Sequence, residues 1–277
     1  MTPVLPPLRE VIERYELGAK KSLGQHFLLD LNMTRKIVRA ANVGTDDTVL
    51  EIGPGPGGLT RALLETGASV FAIERDRRCI KALEDVSAAF SNRLHVIEAD
   101  ALNADDAAIA GEKAPVKIVA NLPYNISTEL LIKWLKAGPA LWSSMALMFQ
   151  KEVADRILAD PGSKIFGRLS VIAQTASNPS RAFNLPARAF TPPPKVDSTV
   201  VLFEQTETPF PALAALEKVT QAAFSQRRKM LRSSLKPVFQ EKLSTALERA
   251  GVKETQRAED VTVPQFKQLA MALARDS

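Results

Sequence analysis

"LEIGPGPGGLT", residues 50–60, changes character halfway through. Its first three residues belong to an apolar run, "DTVLEIG" (47–53), whose β-branched and aliphatic side chains read as a buried strand. Its last two open "LTRALLETG" (59–67), where apolar residues recur at helical spacing. Between them stand Gly53, Gly55, Gly57 and Gly58. A strand that turns through glycines into a helix begins a βαβ unit, and glycine is needed where a Cβ would block a nucleotide from the backbone. Gly53, Gly55 and Gly58 also satisfy G-x-G-x-x-G, so a nicotinamide dehydrogenase is one reading of the loop. Pro54 and Pro56 sit awkwardly with it, because they remove two backbone donors that a pyrophosphate would use.

The pattern repeats downstream. "SVFAIE" (69–74), "LHVIEAD" (94–100) and "VKIVANLP" (116–123) read as further strands, with "RCIKALEDVSAAF" (78–90) and "TELLIKWLKAG" (128–138) as helices among them. Strand and helix alternating at this spacing predict a doubly wound α/β sheet with right-handed crossovers. The second strand ends in Glu74, twenty-one residues after Gly53, where a carboxylate can accept both hydroxyls of a ribose. The third ends at Asp100, placed to meet an adenine amino group, although a helix-capping or turn aspartate is the plainer alternative. Glycine, Glu and Asp at three successive strand ends point to a nucleoside ligand. S-adenosylmethionine is such a ligand, and it carries no phosphate.

The fourth strand ends in "NLPYNIS" (121–127). The exocyclic amine of adenine is a poor nucleophile, because its lone pair is delocalised into the ring. Two acceptors aimed at its N–H groups favour a pyramidal nitrogen and hold it in line with a methyl donor. Asn121 supplies one through its carboxamide oxygen, and the backbone carbonyl of Leu122 or Pro123 supplies the other. The Tyr124 ring offers a face on which an extruded base stacks, worth roughly 1–3 kcal/mol. The competing reading is a plain strand-to-helix turn, with Asn121 as a cap and Tyr124 filling a gap.

Beyond residue 143, "SMALMFQ" (144–150) reads as a fifth strand, "KEVADRILAD" (151–160) and "GRLSVIAQTAS" (167–177) as helices, and "SRAFNLP" (180–186) and "VDSTVVLFE" (196–204) as closing strands. "QTETPFP" (205–211) is a linker, after which only helical periodicity remains. The expected division is a domain over residues 1–205, with an N-terminal helical segment, and a small all-helical domain over 206–277. A single helix is expected to run through "ALAALEKVTQAAFSQRRKMLRSSL" (212–235), which puts Arg228, Arg232 and Lys236 at four-residue steps on one face.

Of the net charge of +5, residues 205–277 hold +4, with 12 Lys and Arg against 8 Asp and Glu. That asymmetry suits an anionic partner bound through its phosphates, and a solvated basic face is the plain alternative. Cys79 is the single cysteine, and His26 and His95 are the only histidines, so an internal disulfide is excluded and a zinc site is not expected. No apolar run approaches eighteen residues and no signal core begins the chain, which gives a soluble, cytoplasmic protein as the expectation. Nothing in the pattern demands a partner subunit, so a monomer is the default.

Together "KSLGQHFLLD" (21–30), "LEIGPGPGGLT", "IERD" (73–76), "EADAL" (98–102), "NLPYNIS", "FTPPPKVDSTV" (190–200) and "FSQRRKMLRSSL" (224–235) resemble the ribosomal RNA adenine N6-dimethyltransferases, most closely the bacterial small-subunit branch. The resemblance covers roughly residues 18 to 235. It implies a Rossmann-like methyltransferase domain, S-adenosylmethionine as donor, and two methyl groups placed on N6 of each of two adjacent adenosines. The implied target is a hairpin loop near the 3′ end of 16S RNA in the small (30S) ribosomal subunit, with a part in subunit biogenesis. By the same resemblance Gln25, His26 and Leu28 close over the cofactor, Gly53 touches its methionine part, Glu74 its ribose and Asp100 its adenine. Asn121 faces donor methyl and target amine, Tyr124 and Phe190 sandwich the flipped adenine, and Lys195 lies near a phosphate. Large-subunit (23S) methyltransferases share most of these motifs, and a non-catalytic assembly factor on the same fold is a further alternative.

Overall fold

The computed structural model describes residue 3 and residues 5–18, 25–226 and 228–275. Its contacts form two compact units, Met1–Lys151 with Ser180–Glu204, and Glu152–Pro179 with Gln205–Ser277.

The first unit opens with α1 (Leu8–Arg14), β1 (Phe27–Leu28) and α2 (Leu31–Ala40), the last capped by Asp30, whose side chain accepts the Asn32 N–H. Alternation then sets in: β2 (Thr48–Ile52), α3 (Gly58–Glu65), β3 (Ser69–Glu74), α4 (Arg77–Ala89), β4 (Leu94–Glu98), α5 (Asp106–Ala110), β5 (Val116–Asn121), α6 (Ser127–Ala137) and β6 (Trp142–Gln150). The sheet is completed by β7 (Asn178–Leu185) and β9 (Ser198–Glu204), while β8 (Phe190–Thr191) pairs with β1 in a separate two-stranded sheet.

The strand order is β4-β3-β2-β5-β6-β9-β7. From β4 to β6 all pairings are parallel, and β9 runs antiparallel to β6. Parallel strands covered on both faces should be apolar on both, and four of the five β2 residues are buried. Because the chain winds outward from β2 through β3 and β4 and then returns to β5, the order reverses between β2 and β5. A ligand crevice is expected there, beyond the carboxyl ends of the strands.

The helical unit contains most of α7 (Lys151–Ile157), then α8 (Arg168–Ala176), α9 (Leu213–Ser225), α10 (Leu231–Ser234), α11 (Lys236–Phe239), α12 (Leu243–Arg249) and α13 (Val263–Arg275). Its core gathers Phe166, Val171, Leu216 and Phe266, with Phe224 stacked on Phe266 at 5.6 Å. Each large apolar side chain buried in this way contributes about 1.5–3 kcal/mol. Residues 152–179 belong here although the linker suggests a boundary at 205, because α8 turns Val171 into the same core as α9.

The basic stretch also departs from expectation. Helix α9 stops at Ser225, so Arg228, Arg232 and Lys236 do not share a helix face. Residues 226–229 are all polar and give a helix nothing to bury, while Met230 leaves in extended form and bridges Arg257. Leu231 N–H donates to Gln256 O at 2.9 Å and Arg232 N–H to Glu254 O at 3.2 Å, which fixes the break. Arg228 falls in a turn, Arg232 in α10, and Lys236 opens α11, where Pro237 sits in the first turn. All three side chains are exposed.

Candidate active site

One cavity lies over the carboxyl ends of β2, β3, β4 and β5. Gln25, His26, Leu28, Gly53, Glu74, Asp100, Asn121, Leu122, Pro123 and Tyr124 all line it, as does Glu51. The glycine loop forms its floor. Gly55 has φ +55°, and a Cβ there would approach the Phe27 ring to 3.0 Å. At Gly58 a Cβ would come within 2.8 Å of Leu28 O, so only glycine admits the N-terminal segment.

The loop's donors are already engaged. Gly53 N–H bonds Ile73 O, Gly55 N–H bonds Glu74, Gly57 N–H bonds Pro54 O, and the two prolines have none. From residue 53 to 57 no N–H is left to cradle a pyrophosphate, which argues against the dinucleotide reading and fits a phosphate-free nucleoside.

Glu74 is 7% exposed and accepts three backbone N–H groups, from Gly55 at 3.1 Å and from Arg75 and Asp76 at 2.8 Å each. Burial raises its pKa, and the three amides pull the other way. Asp100 takes the turn role weighed for it and also lines the cavity. One oxygen accepts the Leu102 N–H as a turn aspartate would, while the other meets Arg75 at 3.1 Å on the cavity wall.

Asp76 caps α4 and is held to about 2 chiefly by its hydrogen bond with the Arg78 side chain. Arg78 also donates to Glu16 O at 2.6 Å, and Gln25 reaches Asp76 at 3.5 Å, so this pair ties the N-terminal segment down beside the cavity. Lys133 on α6 binds Ala101 O, Ala104 O and Asp106, fixing the turn that follows Asp100. Neither contribution is legible in sequence, since both act through backbone carbonyls far along the chain.

At the end of β5, Asn121 donates its amide to His26 O at 3.1 Å. A carbonyl can only accept, so this bond fixes which end of the carboxamide is nitrogen and leaves the oxygen as acceptor. Tyr124 stacks on His26 with centroids 5.3 Å apart, and its hydroxyl pairs with Ser198 Oγ at 2.7 Å. Burial keeps the phenol above its usual pKa. His26 is anchored through Nδ1 to Pro192 O at 2.8 Å.

Phe190 pairs with Leu28 between β8 and β1, is 2% exposed and packs into the core rather than lining the cavity, and the ring stacked on Tyr124 is that of His26. A proline-rich loop suggested an exposed ring, but the two-residue pairing turns it inward. Lys195 lies in the same loop with its side chain exposed. Residues 19–24, which include the start of the "KSLGQHFLLD" motif, are outside the described residues. Among the described residues no group of His, Cys, Asp and Glu is arranged to hold a metal, and no helix is long and apolar enough to cross a membrane.

Known proteins resemble this chain over nearly its whole length. A chain from Mesorhizobium japonicum called ribosomal RNA small subunit methyltransferase A is 56% identical over 273 residues, covering 96% of this chain and 97% of its own length. A Ruegeria relative of the same name is 54% identical, with 98% of both chains covered. Among solved structures, a dimethyladenosine transferase from Plasmodium falciparum superposes with a TM-score of 0.76 at 27% identity, covering 90% of this chain and 98% of that one. The 23S rRNA methyltransferase ErmE gives 0.68 at 27% identity, with 90% and 99% covered. The sequence profile described as Ribosomal RNA adenine dimethylase matches residues 17–275, and the chain belongs to that family of S-adenosylmethionine-dependent enzymes.

Proposed function

We propose that this chain transfers methyl groups to N6 of two adjacent adenosines in a hairpin loop near the 3′ end of 16S RNA, acting as a monomer on the small (30S) subunit in the cytoplasm. The geometry at Asn121 carries the reading. Its carboxamide oxygen is left as an acceptor at the end of β5, beside an aromatic face on Tyr124. S-adenosylmethionine supplies an electrophilic methyl group when bound. The residues present suit it: a loop floor with no spare N–H from 53 to 57, Glu74 for ribose hydroxyls, Asp100 for the adenine amine, and Gln25, His26 and Leu28 lining the same cavity.

Asn121 accepts one N–H of the target amine. Pro123 O already accepts the Ile126 N–H at 3.2 Å, which favours Leu122 O for the other. With both hydrogens held, the nitrogen lone pair is turned from the ring toward the donor, and no strong base is needed. Tyr124 keeps its proton on this reading and acts through its ring, with the extruded base stacking there. Lys195, Arg228, Arg232 and Lys236 are exposed cations suited to phosphate contacts, which position RNA and make affinity salt-sensitive. The branch assignment to the small subunit rests on the full-length relatives.

The test is labelled methyl transfer to small subunits lacking the modification, with large subunits as control and nucleoside mass analysis of the product. Dimethyladenosine confined to the small subunit is expected, and label on the large subunit would reassign the substrate. Asn121→Ala should lower turnover by roughly 100-fold or more while cofactor affinity stays within about fivefold. Near-normal turnover in that variant would remove the role given to Asn121.

A further inference from the structure

Glu51 is the exception among the acids around the cavity. It is 1% exposed, lines the cavity beneath the glycine loop, and neither of its carboxyl oxygens has a hydrogen-bond partner. Thr60 on α3 is near enough to oppose the effect of burial on Glu51, yet its hydroxyl is also left without a hydrogen bond. The other titratable groups lining the cavity are Glu74 on β3, Arg75 and Asp100 at its far end, His26 on the N-terminal segment and Tyr124 after β5. Arg75 is engaged with Asp100, so no cation among them serves Glu51. An isolated carboxylate this deep cannot stay ionised. Burial raises Glu51 to about 8, with Glu74 adding to the shift, and the empty site therefore holds a neutral acid at pH 7.

The strand order says which end of the cofactor comes nearest. Asp100 follows β4, Glu74 ends β3 and Gly53 follows β2, and these strands are neighbours in that order. A ligand with adenine at Asp100 and ribose at Glu74 lays its amino-acid end over β2, the strand that carries Glu51. That end bears an ammonium group. Resting on S-adenosylmethionine as donor, we propose that Glu51 releases its proton as the amino-acid end enters, so that a neutral acid in the empty site becomes the counter-ion of the cofactor's ammonium in the filled one. The carboxyl O–H breaks, its proton passes to solvent, and the electron pair stays on oxygen to face the new cation. Product carries the same ammonium, so its departure takes a proton back. Below the Glu51 titration, affinity for either ligand then strengthens by up to roughly tenfold for each unit that the pH rises.

The test is isothermal titration calorimetry on the full chain at pH 6.5 and 7.0, in phosphate and in Tris, whose different ionisation heats report proton release. S-adenosylhomocysteine, which has the amino-acid end but no sulfonium, should expel close to one proton per molecule bound. 5′-Methylthioadenosine, which lacks that end, should bind and expel about none. Glu51→Gln should bind S-adenosylhomocysteine without proton release. No release in the parent protein, or equal release with both ligands, overturns the inference without needing any variant. Undiminished release from Glu51→Gln overturns it too. If neither ligand binds, the donor assignment itself fails and the inference falls with it.

Discussion

Glu74 and Glu51 lie on neighbouring parallel strands, β3 and β2, and line the same cavity, yet the chain treats them in opposite ways. Around Glu74 the backbone folds back to give three N–H donors, one from the glycine loop and two from its own following turn. Nothing comparable reaches Glu51. The first acid is preorganised, and part of its desolvation is offset within the protein before any ligand arrives. The second is left neutral, with its compensation deferred to the cofactor. A site can thus hold one carboxylate as scaffold and another as a receptor for charge, a few ångströms of backbone deciding which is which.

Removing the scaffold acid should have the largest effect. Glu74→Ala leaves three N–H groups without acceptors, and each buried orphan costs about 1–3 kcal/mol. A loss of about 3–5 kcal/mol in urea-unfolding stability is expected, with cofactor affinity down by roughly 100-fold or more, since the acceptor proposed for the ribose hydroxyls goes as well. Parent-like stability would show that the amide bonds at Glu74 contribute little, and the contrast with Glu51 would collapse.

The receptor acid predicts a pH dependence of opposite sense. Glu51 has a folded pKa of about 8 against an ordinary 4.5. In the unfolded chain it ionises above 4.5, while in the ligand-free fold it stays protonated, so stability is full at low pH and is lost as pH rises between those values. At roughly 1.4 kcal/mol per unit, the loss amounts to a few kcal/mol by pH 8. Glu51→Gln should therefore gain on the parent protein at pH 8 and not at pH 4.5, with S-adenosylhomocysteine restoring the parent. A variant that tracks the parent at every pH would mean that Glu51 is solvated or paired after all.

How much of this the sequence discloses follows from which interactions are local. Strands β2 to β6 and the acids at their ends are legible because apolar runs, glycine spacing and strand polarity place Gly53, Glu74, Asp100 and Asn121 on one edge. The protonation of Glu51 is not legible: Glu51 and Glu74 are both strand acids, and only the path of distant backbone separates them. The burial of Phe190 is not legible either, because a two-residue pairing between β8 and β1, 162 positions apart in register, leaves no periodic trace. The helix drawn through 226–230 failed for the same reason, since the bridge from Met230 to Arg257 overrides a local helical rhythm. Residues 152–179 join the helical unit through packing that no linker composition announces.

Tyr124 offers the smallest and sharpest probe, because its two ends fall on the two sides of the contrast. Its hydroxyl is satisfied within the protein by Ser198 Oγ, a fully buried group, whereas its ring stacks on His26 at the mouth where the target base is proposed to enter. Tyr124→Phe removes only the internal bond and strands the Ser198 hydroxyl, so about 1 kcal/mol of stability should go while turnover stays within about threefold. Tyr124→Ala removes the stacking face too and should cost RNA turnover roughly 10- to 100-fold, with cofactor affinity little changed. If instead the phenylalanine variant is the inactive one, the hydroxyl works in the reaction. The raised phenol pKa would then have to be read as holding a proton for transfer rather than as a by-product of burial.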